Sequence, residues 1–313
     1  KQLIDADEEI PAAELLSLLD IKGNSTEARM MRNQIYALKK EAVKKAIENG
    51  RGNALLDDIE AMNERGNSVE ALELLSYIEV KGEGEESDAL RGRLSKLKEE
   101  AIDKAFEDGR QEEILGKAKQ MISDGDYNTA LSFLGSVKAE GDDPESRAFR
   151  NSIKALKKDT VERALAEGRI DDVFGTADFL NNNGDNAAAL ELLSMINVAG
   201  NSDEANALRD QVNAKKQETV NKAIENGKFD EILKSARQMI DDGDYSGALE
   251  LLSSANVTGK DPESKKLQKE IDSLKKDAVK KAIADGRGDE ILDTVERFMK
   301  EGNYDAASSV LDQ

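Results

Sequence analysis

Apolar residues recur along this chain with the period of an α-helix. In the stretch Leu267, Ile271, Leu274, Ala278, Val279, Ala282, Ile283 they fall three, four or seven apart, so one stripe of a helix is apolar and the rest is polar. A shorter stripe follows in Ile232, Leu233, Ala236, Met239, Ile240, with Ile114, Leu115, Ala118, Met121, Ile122 as its counterpart. A third runs through Ala248, Leu249, Leu251, Leu252 and Ala255. No stretch alternates with period two over the length of a strand, so the pattern predicts helices and no sheet.

Glycine separates these segments at a fixed interval. Gly50, Gly109, Gly168, Gly227 and Gly286 are 59 residues apart, as are Gly66, Gly125, Gly184, Gly243 and Gly302. A third column, Gly23, Gly82, Gly141, Gly200 and Gly259, has the same spacing. Three breaks per period imply three helices per repeat, and a repeat of this length is the signature of stacked supersecondary units. The long helix starts at a capping column occupied by Ser25, Gly84, Asp143, Ser202 and Asp261. Ser and Asp there accept from free amides of the first turn. Pro144 and Pro262 follow where a missing N–H is harmless, and Glu27, Glu86, Glu145, Glu204 and Glu263 complement the helix dipole.

The expected architecture is therefore all-α: a right-handed α-solenoid of 59-residue three-helix repeats, about 16 helices and no sheet. Its divisions fall at residues 1–50 (a third helix near Glu9 to Asp20, then a long helix), 51–109, 110–168, 169–227, 228–286 and 287–313, within one continuous array. The chain opens in the tail of a second helix, at Lys1 to Ile4, and ends inside a third. Leu3, Ile4, Leu15 and Leu16 at one end, and Val310 and Leu311 at the other, are stacking-face residues. Either this is a piece of a longer array, or copies associate end to end.

The hairpin of second and third helices resembles a tetratricopeptide repeat. Ile232, Ala236 and Met239 look like the large apolar, small and aromatic positions of that family's first helix, and Gly243-Asp244-Tyr245, Ala248, Leu252 and Ala255 like its turn and second helix. The resemblance covers about three fifths of each repeat. The extra long helix, Met239 at an aromatic position and the late Pro262 depart from it. It implies a right-handed superhelix that binds proteins or peptides, and it carries over no ligand-binding residue.

Composition narrows the function. With 65 acidic and 45 basic side chains the net charge is −20, which argues against nucleic acid and anionic membranes as partners. No apolar run approaches the length of a membrane span. The chain has no His and no Cys, which removes imidazole acid–base chemistry, thiolate metal sites and disulfides. No phosphate-cradling glycine loop is present either, so no catalytic, cofactor or metal residue is assigned. Asn24-Ser25-Thr26 and Asn256-Val257-Thr258 fit the glycosylation triplet at a frequency near chance.

One turn invites a sharper reading. Asp242, Asp244, Ser246, Gly247 and Glu250 match the front of a calcium loop, but Ser253 stands where a bidentate Glu is needed. A helix–helix corner, with Asp244 capping the third helix and Tyr245 packing back, accounts for the same residues. The turn Asp-Gly-Asp-Tyr occurs at Asp124 and at Asp242, in alternate repeats. Net charge alternates too: −8 for residues 51–109, −1 for 110–168, −5 for 169–227 and −1 for 228–286. The expected function is a non-enzymatic helical-repeat scaffold for a protein or peptide. The alternatives are a spacer segment of a larger repetitive surface or cytoskeletal protein, or an engineered array.

Overall fold

A computed structural model describes residues 1–198, 200, 202–255, 257, 259 and 261–313. Asn256 and Thr258 of the second glycosylation triplet lie outside them. The described residues form 17 α-helices and no strand. They divide into two compact units, Lys1–Ala164 and Leu165–Gln313.

The first unit contains α1 (Gln2–Asp5), α2 (Glu9–Ser17), α3 (Thr26–Glu48), α4 (Gly52–Glu64), α5 (Ser68–Leu75), α6 (Glu85–Glu107), α7 (Gln111–Ser123), α8 (Tyr127–Ser136) and nearly all of α9 (Pro144–Ala166). The second contains α10 (Ile170–Asn182), α11 (Asn186–Ser194), α12 (Asp203–Glu225), α13 (Phe229–Asp241), α14 (Tyr245–Ser254), α15 (Pro262–Ala284), α16 (Gly288–Lys300) and α17 (Tyr304–Leu311). The count exceeds the expected sixteen because α1, the tail at the chain start, closes a turn of its own. The long helices begin at residues 26, 85, 144, 203 and 262 and have 23 residues each, roughly 35 Å at 1.5 Å per residue.

The ends form as their residue types dictate. Ser25 and Ser202 accept at 3.2 Å from the amides of Ala28 and Ala205, and Asp261 accepts at 2.9 Å from Ser264. Asp143 accepts from Glu145 and Ser146, both at 2.9 Å. Asp261→Ala removes the cap and should lower the urea midpoint. The equivalent Gly84→Ala should gain no cap, because its φ of 116° disfavours any side chain. At the other end Gly227 has φ 64°, which lets its own amide reach Ile224 O and the Lys228 amide reach Ala223 O at 2.7 Å.

Burial follows the stripes. α3 buries one face, through Ile35, Tyr36, Ala42, Val43 and Ala46. α5 is buried nearly all round, from Val69 to Leu75, because it packs on α4, α6 and α8. In the second unit Leu233, Leu251 and Leu252 share a cluster with Leu267 and Ile271 of α15, and Ile240, Tyr245 and Leu249 share another with Ala278, Val279 and Ala282. Ile283 departs from the expected inward stripe and is exposed. Its column packs on a following long helix, as Ile224 does beside Leu267, and no such helix follows α15 among the described residues.

A row of arginines locks four of the five long helices to the segments leading into them, the same position on α15 being Gln268. Arg32 donates to Ile21 O (3.0 Å) and Gly23 O (2.8 Å), and Arg91 to Val80 O (3.1 Å) and Gly82 O (2.5 Å). Arg150 repeats this with Ala139 and Gly141, and Arg209 with Val198 and Gly200. The fork of one guanidinium satisfies two loop carbonyls that no helix can.

Candidate functional site: an interior column of lysines

The long helices place a lysine at the same point in every period: Lys39, Lys98, Lys157, Lys216 and Lys275. Four are buried and Lys216 is half-buried. Burying an ammonium is costly unless it is paired, so each of these positions needs an answering group.

In the first unit the answer is Glu73 of α5, fully buried. Lys39 donates to its Oε1 at 2.8 Å, Lys117 of α7 to its Oε2, and the Tyr77 hydroxyl to Oε1 at 2.8 Å. One carboxylate thus ties α3, α5 and α7 together. Burial alone would raise its pKa, but Lys117 and Lys39 outweigh burial and pull it down to about 2. Burial lowers the pKa of Lys39 and raises that of Tyr77. Because the folded pKa of Glu73 lies below the ordinary 4.5, its contribution is complete above that value. It is lost as pH falls through about 2. The urea midpoint should therefore fall across this acid window, and Glu73→Gln should flatten that dependence. An unchanged slope would refute the assignment.

A second buried pair lies nearby. Arg32 grips Asp124, at the end of α7, through two hydrogen bonds of 2.6 Å, with Asp124 almost sealed from solvent. This bidentate geometry suits a guanidinium and would be lost with lysine. The first Asp of the Asp-Gly-Asp-Tyr turn therefore serves a helix 92 residues away in sequence. The second Asp, Asp126, caps α8 by accepting from Thr129 N at 3.2 Å.

The second unit spells the same site differently. Glu250 of α14, in the column of Glu73, accepts from Arg297 of α16. Lys216 feels Glu301 and Glu250, yet desolvation still lowers its pKa, and burial raises that of Glu301. Ser194, Lys216, Glu250, Arg297, Glu301 and Asn303 line a recess here with room for little more than a water molecule. At Lys275 the column opposite has Ser309, which accepts at 3.1 Å. The cluster is sealed in the first unit and open to water in the second, and in both its bonds run between helices.

The residues singled out as a calcium loop are otherwise engaged. Asp244 accepts from Gly247 N at 3.1 Å, Asp242 from Gln238 Nε2 at 3.2 Å, and Ser246 bonds to Glu250 and Thr294. Among the described residues no group of three carboxylates gathers to hold a metal. Tyr127 and Tyr245 are buried, Tyr245 donating to Asp285 beneath Arg287, whose guanidinium lies 5.2 Å from the ring centre. Tyr304 is exposed. Periodicity of the charged residues, tested as glycine was, reveals the Lys and Arg columns that apolar patterning passes over.

No family model matches this chain, and no curated protein does. Among solved structures it is similar to one described as a circular tandem repeat protein with novel repeat topology and enhanced subunit contact surfaces. The identity is 15%, the match covers 99% of this chain and 72% of that one, and the TM-score is 0.21. At that score the likeness carries no argument.

Proposed function

We propose that the chain is a non-enzymatic helical-repeat scaffold for protein or peptide binding. The supporting observation is where its polar chemistry goes. Buried Glu73 is consumed by three donors, two from helices α3 and α7 and one from the turn after α5, and buried Asp124 by Arg32, so these groups hold helices in register and face no substrate. With a net charge of −20, the outer surface would select partners by shape and negative potential. The test is affinity capture with the intact chain, then titration of each purified candidate at rising salt. A protein whose binding weakens with salt is expected. Finding no protein ligand, or turnover of a small substrate, would sink this reading.

A second reading, a spacer segment with its contacts at its terminal helices, is favoured by one observation. Among the described residues from 32 to 282 every large apolar side chain is buried or half-buried. The exposed ones are Leu15, Leu18, Leu19, Met30 and Met31, and then Ile283, Leu292, Met299, Tyr304 and Leu311. Capture that survives substitution of the charged surface but not of these positions would select it.

A further inference from the structure

We propose that Asn226 is a site of spontaneous covalent modification, at which the side chain closes on the Gly227 backbone, loses ammonia and becomes aspartate or isoaspartate. Water is the one co-reactant, and the inference rests on no reading of the protein's function.

The chemistry belongs to an asparagine followed by glycine, whose amide nitrogen no Cβ shields. The Gly227 nitrogen, its proton taken by hydroxide, attacks the side-chain carbonyl carbon of Asn226. A C–N bond forms, the bond from that carbon to Nδ2 breaks, and Nδ2 leaves as ammonia with a proton from water. Water then adds to either carbonyl of the cyclic imide. Opening on one side gives aspartate, and on the other isoaspartate, in which the main chain runs through the former side chain.

Three such pairs occur, Asn49-Gly50, Asn183-Gly184 and Asn226-Gly227, and their backbones match. Each Asn closes a helix, with φ and ψ of −82° and 9°, −81° and −2°, and −84° and 0°. Each glycine amide donates at 3.0 Å to the carbonyl three residues earlier. The main chain must therefore fray alike in all three before a ring can close.

The side chains differ. Asn183 is buried. Asn49 is exposed, but its Nδ2 donates at 2.6 Å to Oε1 of Glu9, a fully buried carboxylate whose other oxygen is held by Arg51. Turning the Asn49 amide toward Gly50 breaks that bond to a charged acceptor. Asn226 is equally exposed, and among the described residues its side chain has no hydrogen-bond partner. The place of Glu9 in this period is taken by Asn186, which donates to Asn181 instead, at 3.0 Å.

One product suits the fold. Asp108 and Asp285 stand at the same point of the period, and Lys104 donates to Asp108 at 3.2 Å from four residues earlier. Lys222 holds that place before Asn226, so an aspartate there meets a cation at the negative end of the helix. Isoaspartate lengthens the main chain inside the turn that lets the Lys228 amide reach Ala223 O at 2.7 Å.

The test is peptide mapping by mass spectrometry of the full chain, aged at mildly alkaline pH with and without denaturing urea. In the native chain the mass gain of amide-to-acid conversion should appear at Asn226 at least about tenfold faster than at Asn49, the factor set by a bond to a charged acceptor. Asn183 should lag as well, and in urea the three rates should converge. Glu9→Ala should bring Asn49 toward the rate of Asn226, while Asn226 in the same sample keeps its own. Equal rates at Asn49 and Asn226 in the native chain overturn the proposal, and so does an Asn226 that converts only in urea. An Asn49 still protected in Glu9→Ala would overturn the control assigned to the side-chain bond.

Discussion

Glu73→Gln should destabilise the first unit by about 3–5 kcal/mol, the largest loss expected from any isosteric change in the chain. The amide keeps the shape of the side chain and removes its charge. Lys39 is then left inside the protein with a neutral acceptor, and Lys117 loses its charged partner across two helices. The Tyr77 hydroxyl can still donate to the amide oxygen, so the penalty falls on the two ammonium groups. A combined Lys39→Met, Glu73→Leu, Lys117→Met, Tyr77→Phe variant should recover most of the loss, because removing every member of a buried network is far cheaper than removing one. Glu250→Gln should cost less, since Glu250 and Arg297 retain some contact with water. Urea titrations of the three variants decide this. Equal, small losses at Glu73 and Glu250 would show that the column is not a structural tie.

The punctuation of this fold was legible because it rests on local chemistry. A glycine at φ near +64° and a Ser or Asp accepting from the third residue of a helix need only their own neighbourhood. Helix positions, the caps and the role of Asp244 could therefore be read directly. The interior charges could not. Lys39 and Lys98 are ordinary members of a set of 45 basic residues until burial is known, and lysine is almost never fully buried. The Arg32–Asp124 pair joins residues 92 apart, more than a whole period, so comparing one repeat with the next does not bring them together. Ile283 shows the converse limit. Its apolar spacing is that of a core residue, yet it is exposed among the described residues, because burial depends on neighbours outside its own segment.

The alternation of turns gains a physical meaning from the same comparison. Asp124 and Asp242 each accept from a glutamine four residues earlier, and Asp124 is gripped by Arg32 as well, so one spelling supports a buried ion pair in the first place and an amide-to-carboxylate bond in the second. Glu73 and Glu250 likewise share a column and differ in whether water reaches them. Helices of matching position in the two units are thus held together with different polar chemistry. The divergence follows from which helix supplies the donor: Arg32 and Lys39 of α3 reach Asp124 and Glu73, Lys117 of α7 also reaches Glu73, and Arg297 of α16 reaches Glu250.

Leu252→Ala and Leu311→Ala should separate by several kcal/mol although they alter the same residue at the same point of the period. Leu252 is fully buried against α15, and truncating it removes its transfer energy and leaves a cavity, about 2–5 kcal/mol. Leu311 is 61% exposed, so its truncation should stay within about 0.5 kcal/mol. If Leu311→Ala is as costly as Leu252→Ala in urea titrations, exposure of Leu311 in solution is not what the structure describes, and burial does not separate the two positions.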